Sequence, residues 1–321
     1  GEGGYLCIRI PVAVETPSGI LLFAEARAKH SGNFNCCVAP VEDYPWCRDK
    51  DIVYKTSKDG GKTWSALHVL FESTEEFFYS NISPVLDAKS TDIIAPFSRC
   101  HYKEYYSNCT LLQTTSKDGG DTWSSALAMP EKVAQISGIT GVPVGPQLAN
   151  GRMLYTYHFH TEDSIRANCF YTDDRGSSWQ VSHDFPAGEN QVAQLPNGTL
   201  IMTSRLSGRF QGYSHDNGFT WGTFSKVPSL PDVDCQGSII HSRETPGGAL
   251  LFSGVARVDK LVRYDVTVYS SKDGENWREL HRVYNGPSAY SCLLEAHRGV
   301  FVFYENGDTT PYERISMQRL V

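Results

Sequence analysis

The chain has 321 residues, of which 40% are hydrophobic, and its formal net charge is −7. This acidic balance argues against a nucleic-acid-binding protein, which normally presents a basic face. No apolar run approaches the roughly 18 residues that a membrane-spanning helix needs. Closed all-β folds of this length often form one unit and bury their own core, so we expect residues 1–321 to form a single domain.

Five short segments along the chain are near copies of one another. They are Ser57–Trp64 (SKDGGKTW), Ser116–Trp123 (SKDGGDTW), Thr172–Trp179 (TDDRGSSW), Ser214–Trp221 (SHDNGFTW) and the shortened Ser271–Trp277 (SKDGENW). Five of the six tryptophans lie in these copies. Asp59, Asp118, Asp174, Asp216 and Asp273 recur at blade-sized intervals of roughly 40–60 residues, as in a β-propeller. Near copies cannot all serve one site, so we interpret them as scaffold.

Each copy predicts a tight turn between two strands. An aspartate carboxylate accepts hydrogen bonds from nearby N–H groups, glycine supplies a positive φ, and tryptophan packs beneath the turn. Strand-like runs such as Asp51–Tyr54 and Val266–Tyr269 precede the copies. The predicted fold class is all-β, a six-bladed β-propeller whose sixth repeat follows Trp277 without a turn motif. We expect the last strand-like segment, Arg314–Leu320, to pair with the blade begun by the N-terminal strand and to close the ring.

The nine cysteines and the glycosylation sequons bear on the compartment. Cys36, Cys37 and Cys47 fall in one loop, and Cys100 and Cys109 bracket a short polar stretch that a disulfide could staple into a hairpin. Sequons begin at Asn81, Asn108 and Asn197. These features favour an oxidising compartment, so we expect a secreted, extracellular or lumenal protein. The odd cysteine count leaves at least one thiol free or paired between chains.

The repeats resemble the Asp-boxes of the exo-α-sialidase (neuraminidase) superfamily, and segments outside them carry a more specific resemblance. In chain order those segments include Ile8–Pro11, Glu25–Ala28, Glu189–Ala193, Leu200–Arg205, Cys235–Ser238, Ser288–Ser291 and Tyr304–Glu305. The resemblance implies a retaining exo-α-sialidase that removes terminal sialic acid residues. Its substrates would be sialylated glycans, glycoproteins or glycolipids. We expect no cofactor and no metal, since the chain lacks a Cys-x2-Cys pair and a Cys/His ladder.

The resemblance assigns an arginine cluster to substrate binding. It implies that Arg9, Arg205 and Arg263 bind the carboxylate of sialic acid, and that Glu305 holds Arg9 in position. Guanidinium forks match a carboxylate bidentately, which an ammonium group does not. Residues from distant blades of a propeller meet at its central channel, so these side chains can converge. Arg27 resembles an arginine that contacts the far side of the sugar ring.

The resemblance places the catalytic roles on a tyrosine and a glutamate. Tyr290 matches the nucleophile, and Glu189 matches the base that activates it. Sialidases depart from the usual pair of carboxylates, because the carboxylate of the substrate would repel a carboxylate nucleophile. A phenol can approach, but its pKa near ~10 means that it needs a base.

The acid/base aspartate is the main departure from the family pattern. The usual spacing before the strand at Asp51–Tyr54 lands on Trp46, within a longer loop. Asp43 and Asp49 are the candidates. We favour Asp43, because Asp-Tyr-Pro-Trp lies within the loop, whereas Asp49 lies at the edge of the strand between two basic residues that would pair with it.

Several roles and functions stay open at the level of sequence. Asn81 fits a structural or a binding role, and Tyr155, Tyr157 and His158 could line the side of the site that receives the glycerol chain or the acceptor. Three functions compete with hydrolysis of sialic acid. They are transfer of the sugar to another glycan, specificity for deaminated sialic acid (Kdn), and glycan binding by a propeller that has lost catalysis.

Overall fold

The computed structural model describes residues 2–27, 37, 49–102, 109–134, 139–141, 144–161, 163–231, 233–245, 248–260 and 262–320. The regular elements in these ranges are strands, apart from a 3₁₀ helix at Glu2–Gly4 and a single-turn helix α1 at Glu131–Ala134. Within these ranges, no helix has the length and apolar character needed to cross a membrane.

The strands form six antiparallel sheets, which we number as blades 1 to 6 in chain order. Blade 1 contains β1 (Cys7–Thr16), β2 (Gly19–Arg27), β3 (Lys50–Ser57) and β4 (His68–Phe71). Blade 2 contains β5 (Phe77–Ser80), β6 (Val85–Leu86), β7 (Ile93–His101), β8 (Cys109–Ser116) and β9 (Leu127–Ala128). Blade 3 contains β10 (Ile139–Thr140), β11 (Met153–His160), β12 (Ile165–Thr172) and β13 (Gln180–Val181).

The second half of the chain repeats this pattern. Blade 4 contains β14 (Asn190–Gln194), β15 (Leu200–Arg205), β16 (Arg209–Ser214) and β17 (Ser225–Lys226). Blade 5 contains β18 (Ser238–Ser242), β19 (Ala249–Asp259), β20 (Val262–Ser271) and β21 (Arg278–Arg282). Blade 6 contains β22 (Ser288–Ala296), β23 (Gly299–Asn306) and β24 (Arg314–Arg319).

The first strands of the blades lie around a common axis. Strand β14 contacts β18, β18 contacts β22, and β22 contacts β1. The remaining strands of each blade follow outwards in chain order, except that the short β6 pairs beside β5 on β7. The arrangement is the six-bladed β-propeller that the repeats predicted. Residues on innermost strands of different blades can therefore meet near the axis.

Each repeated segment forms the turn between the last two strands of its blade. In the first copy, the Asp59 carboxylate accepts hydrogen bonds from the N–H groups of Lys62 at 3.0 Å and Thr63 at 2.9 Å. The tryptophan of a copy also reaches a neighbouring blade, since Trp64 of blade 1 packs edge-on against Phe303 of blade 6. The copies therefore serve the scaffold at two levels, within the hairpin and between blades.

The C-terminal strand completes blade 6 and does not join blade 1. Strand β24 pairs along its length with β23, so the prediction that Arg314–Leu320 pairs with the N-terminal blade is wrong. Blade 1 has four strands of its own, and a hairpin reaches the free edge of β23 at a small cost in loop closure. Blades 1 and 6 join instead through contacts such as the hydrogen bond from the Ala13 N–H to the Cys292 sulfur at 3.4 Å.

Two disulfides appear within the part of the chain that the structure describes. Cys100 and Cys109 are bonded across paired positions of β7 and β8, which confirms the predicted staple. Cys7 of β1 is bonded to Cys37. Buried free thiols are found at Cys169, Cys235 and Cys292. Outside the described residues lie Cys36, Cys47 and Asn108.

Candidate active site

Irregular pairing marks two innermost strands at the residues that the family resemblance singled out. Strand β1 shifts register between Arg9 and Val12, where Ile10 takes a positive φ of 61°. Strand β22 shifts register around Tyr290. A β-bulge bends its strand and re-aims a side chain. Both bulges therefore set the direction of a candidate functional residue.

Glu305 on β23 ties the two bulges together. Its carboxylate accepts hydrogen bonds from the N–H groups of Ile10 at 2.7 Å and Tyr290 at 3.1 Å. It also accepts a hydrogen bond from Nη2 of Arg9 at 3.0 Å. Because Glu305 is fully buried, one carboxylate fixes both strands and the Arg9 side chain in a single arrangement.

We expect Glu305→Gln to lower the free energy of unfolding by about 2–3 kcal/mol, the worth of a buried hydrogen bond to a charged partner. The amide N–H group of glutamine would also face the N–H donors that now donate to the Glu305 carboxylate, and it cannot accept their hydrogen bonds. Urea denaturation measures the loss. Glu313→Gln is the matched control, because Glu313 also accepts three N–H groups but is exposed. Equal destabilisation by the two changes would contradict the role given to Glu305.

A tyrosine, a glutamate and an arginine form the centre of the site. Glu189 immediately precedes β14, and Arg205 ends β15, where its N–H donates to the Glu189 carbonyl at 2.9 Å. The Tyr290 hydroxyl donates a hydrogen bond to the Glu189 carboxylate. Nη1 of Arg205 donates to the same carboxylate at 2.7 Å and to the Tyr290 oxygen at 3.3 Å. Side chains from blades 4 and 6 therefore join a hydroxyl, a carboxylate and a guanidinium in one hydrogen-bonded group.

The surroundings keep the proton on the tyrosine. Burial raises the pKa of Tyr290 well above its usual value, and the charge of Glu189 raises it further. Burial alone would also raise the pKa of Glu189, but the charge of Arg205 and the hydrogen bonds to the carboxylate hold that pKa below its usual value. The ionised Glu189 carboxylate therefore accepts a hydrogen bond directly from the neutral Tyr290 phenol.

Two further arginines flank the Tyr290 ring. The Cζ atoms of Arg9 and Arg263 lie 5.2 Å and 5.9 Å from the centroid of this ring. Tyr312 covers the Arg9 guanidinium, with 4.1 Å between its ring centroid and the arginine Cζ. Arg9 on β1 and Arg263 on β20 therefore lie beside the ring of Tyr290, and Arg205 contacts its hydroxyl.

The segment before β18 contributes a carboxylate that no sequence motif assigned. Nε and Nη2 of Arg205 donate to the two carboxylate oxygens of Asp234 at 2.6 Å and 3.2 Å. Nη2 of Arg263 donates to the Asp234 backbone carbonyl at 2.8 Å. The available signal was its position, since Asp234 directly precedes the Cys235–Ser238 motif.

Gln236 of the same segment holds the strand of the candidate nucleophile. Its amide accepts from the Ser291 N–H and donates to the Ser291 carbonyl, both at 3.0 Å. Ser291 directly follows Tyr290. The segment therefore contacts two of the arginines and the backbone beside the tyrosine.

Arg27 ends β2 and is held by Glu25 on the same face of the strand. Nε and Nη2 of Arg27 donate to one Glu25 oxygen at 3.1 Å and 2.5 Å, while the other oxygen accepts from the Ser80 hydroxyl and the Asn81 N–H. Burial alone would raise the pKa of Glu25, but neighbouring positive charges, Arg27 foremost, lower it to about 2. Because β2 is the second strand of its blade, Arg27 lies further from the axis than Arg9 on β1.

Three of the less specific candidates are buried within the scaffold. The Asn81 side chain is buried and donates to the Thr140 carbonyl at 2.9 Å. Tyr155 and Tyr157 are fully buried, so neither of these two candidates lines the side of the site that would receive the glycerol chain or the acceptor. Both point to the same face of β11, since side chains two residues apart on a strand share a face, and that face packs into the aromatic core of blade 3.

His158 directly follows Tyr157 on β11, so its side chain points to the opposite face of the strand, where it lines a cavity at the site. The cavity has a volume of about 300 Å³ and borders Glu189, Arg205, Leu206 and Asp234. Burial lowers the pKa of His158 to about 4, so its imidazole is neutral beside the glutamate at neutral pH. This space can receive a polar substituent of a ligand bound at the tyrosine.

The two acid/base candidates differ in what can be said of them. Asp43 lies outside the described residues. Asp49, just before β3, accepts a hydrogen bond from the Tyr102 hydroxyl at 2.9 Å. Lys50, expected to pair with Asp49, is buried with its ammonium 5.1 Å from the centroid of the Phe78 ring.

Comparison with known proteins identifies the repeat family. Residues 47–303 match the family described as BNR repeat-like domain. The chain belongs to this family. Among curated proteins with similar sequences, a sialidase of Micromonospora viridifaciens is 27% identical over 99% of this BNR-repeat chain and 52% of that protein. Sialidase-4 of Homo sapiens is 30% identical over 73% of the chain and 54% of that protein.

The solved structures agree on the fold. Trypanosoma rangeli sialidase in complex with sialic acid superposes with a TM-score of 0.80 at 16% identity, covering 98% of this BNR-repeat chain and 54% of that one. The resemblance to sialidase propellers is thereby confirmed. The chain spans about half the length of the two curated relatives, which are 52% and 54% covered.

Proposed function

We propose that this BNR-repeat propeller is a retaining exo-α-sialidase, which hydrolyses terminal sialic acid from glycoconjugates with Tyr290 as nucleophile. One observation carries the proposal. The Tyr290 hydroxyl donates to the ionised Glu189 while Arg9, Arg205 and Arg263 surround the same side chain. Proteins named sialidases among the relatives support the same reaction.

The arginines account for recognition of the substrate. Sialic acid carries a carboxylate on its anomeric carbon, so a carboxylate held by Arg9 and Arg263 brings that carbon to the intervening Tyr290 oxygen. In the described part of the chain, Nε of Arg9 is buried without a hydrogen-bond partner and Arg263 has no carboxylate partner. Arg27, fixed by Glu25, would contact the far side of the ring.

The first displacement forms a bond between the Tyr290 oxygen and the anomeric carbon. The phenol proton passes to Glu189 along the existing hydrogen bond. The bond from the anomeric carbon to the leaving oxygen breaks, and an aspartate, for which we propose Asp43, donates a proton to that oxygen. Arg205 stabilises the charge throughout, because its Nη1 contacts both Glu189 and Tyr290.

The second displacement returns the enzyme to its starting state. Water attacks the anomeric carbon and gives its proton to the aspartate, while the bond to Tyr290 breaks and the phenol recovers its proton from Glu189. Two inversions at one carbon give net retention. A propeller that only binds glycans has no need of an activated phenol, so the paired Tyr290 and Glu189 favour catalysis.

Proton NMR of sialyllactose hydrolysis tests the proposal in one experiment. We expect free sialic acid to appear as the α-anomer and to convert to the β-anomer only afterwards, because water replaces Tyr290 on the face that the leaving group vacated. Appearance of the β-anomer first would contradict the covalent mechanism. Absence of cleavage by folded protein, checked also with a fluorogenic aryl sialoside, would contradict the proposed function itself.

The compartment is a further part of the proposal. The disulfides Cys7–Cys37 and Cys100–Cys109 support work in an oxidising environment, either secreted or lumenal.

A further inference from the structure

We propose that Asp234 is an internal competitor for the substrate carboxylate, and that the substrate gains full access to Arg205 only by displacing the Asp234 side chain. The inference rests on the proposed function and deepens it, because it names a residue that sets substrate affinity. Three observations carry it: the occupancy of the Arg205 donors, the exposure of Asp234, and the anchoring of its backbone.

Every nitrogen of the Arg205 guanidinium is already engaged. Nε and Nη2 form a bidentate pair with Asp234, and Nη1 contacts Glu189 and Tyr290. A guanidinium presents its donors in a fixed planar fork. The edge that best matches a second carboxylate is therefore occupied before any substrate arrives.

Asp234 differs in exposure from the carboxylates that position the other arginines. Glu305, which holds Arg9, and Glu25, which holds Arg27, have side chains only 1% and 3% exposed. The Asp234 side chain is 62% exposed. The two positioning carboxylates are closed to solvent, whereas a ligand can reach the exposed Asp234 carboxylate directly from solvent.

The backbone of Asp234 is fixed, so only its side chain has to move. The Asp234 carbonyl accepts from Arg263 at 2.8 Å, and the following carbonyl, of Cys235, accepts from Nη2 of the buried Arg209. Rotation of the exposed carboxylate away from Arg205 breaks neither contact. The substrate can thus take the place of Asp234 without disturbing the rest of the segment.

The charges around Asp234 keep it able to compete. Hydrogen bonds from Arg205 lower the pKa of Asp234 most, and partial burial raises it. The charges of Arg205, Arg263 and Arg209 lower it further, so the pKa lies below its usual value. Asp234 therefore carries its negative charge at neutral pH, as a competitor for an arginine must.

Calorimetry on Asp234→Asn tests the proposal with two probes, the unsaturated 2,3-dehydro analogue of sialic acid and its methyl ester. We expect the acid to bind roughly 3- to 10-fold more tightly to the variant than to wild type, the range set by the small worth of an exposed ion pair. The ester should bind both proteins equally, because it lacks the charge that competes. The KM for sialyllactose should fall in the same proportion.

Asp173→Asn is the matched control. Asp173 forms a bidentate pair with Arg152 at 2.8 Å and 2.9 Å, is 58% exposed, and lies in a turn segment of blade 3. Its replacement should change neither affinity. Weaker binding of the acid to Asp234→Asn would show that Asp234 only positions Arg205, and equal tightening of acid and ester would show that charge competition is not the cause. Either result overturns the proposal.

A second measurement does not depend on the identity of the substrate. Phenylglyoxal modifies accessible arginines, and mass spectrometry of the peptide that contains Arg205 gives its rate of modification. Asp234→Asn should raise this rate, as Asp173→Asn should for Arg152, and an unchanged rate at Arg205 overturns the proposal. If the wild-type protein bound no sialic acid analogue, the proposed function would fail while this rate still decided whether Asp234 blocks Arg205.

Discussion

Tyr290→Phe is expected to abolish steady-state turnover of sialosides, with a loss of roughly 10⁴-fold or more, as for other removed nucleophiles. The phenol oxygen is the atom that attacks the anomeric carbon. Glu189 cannot replace it, because its negative charge would meet the carboxylate of the substrate and because Arg205 holds it against the tyrosine rather than the sugar. Initial rates with an aryl sialoside measure the effect without depending on the general acid.

The same variant should still fold and bind. Its ring remains between Arg9 and Arg263, so the unsaturated analogue should keep most of its affinity. Tyr284→Phe is the control, because Tyr284 also loses a hydroxyl that donates, here to the Gly307 carbonyl at 2.9 Å. Its kcat/KM should stay within a few fold of wild type. Kinetics like those of wild type in Tyr290→Phe would end the assignment of the nucleophile.

The number of blades could be predicted because each repeated turn depends only on residues that are close together in the sequence. A turn such as Asp59 to Trp64 needs only an aspartate, a glycine and a few N–H groups close in the chain. The closure of the ring is a different problem. Strand β24 could pair with any free edge of similar length, and its pairing with β23 depends on which edges the folded blades leave open.

The features of the site also fall into those that the sequence predicted and those that depend on the folded chain. The family resemblance supplied Arg9, Tyr290 and Glu305, and the fold brings them together across blades 1 and 6. It did not supply the bulges, which exist only as a relation between two paired strands. Asp234 also escaped prediction, because an exposed aspartate in a loop looks like ordinary surface charge until its distance to Arg205 is known.

The choice between Asp43 and Asp49 as general acid now rests on one structural contact. Asp49 accepts a hydrogen bond from Tyr102, which follows β7, and so links the start of β3 in blade 1 to blade 2. Loss of this contact in Asp49→Ala should cost about 1 kcal/mol of stability. It should slow natural and aryl sialosides mildly and equally, because the contact serves the scaffold.

Asp43→Ala should instead give a defect that depends on the leaving group. A general acid supplies the proton that a basic alkoxide needs, and an acidic phenol leaves almost without it. Cleavage of sialyllactose should therefore slow by roughly 10²–10⁴-fold, the usual worth of general acid–base catalysis, while an aryl sialoside loses much less in the glycosylation step. Parallel kcat/KM measurements on both substrates decide the matter. If Asp49→Ala shows the dependence on leaving group and Asp43→Ala does not, the two roles exchange, and the Tyr102–Asp49 hydrogen bond becomes part of the catalytic apparatus.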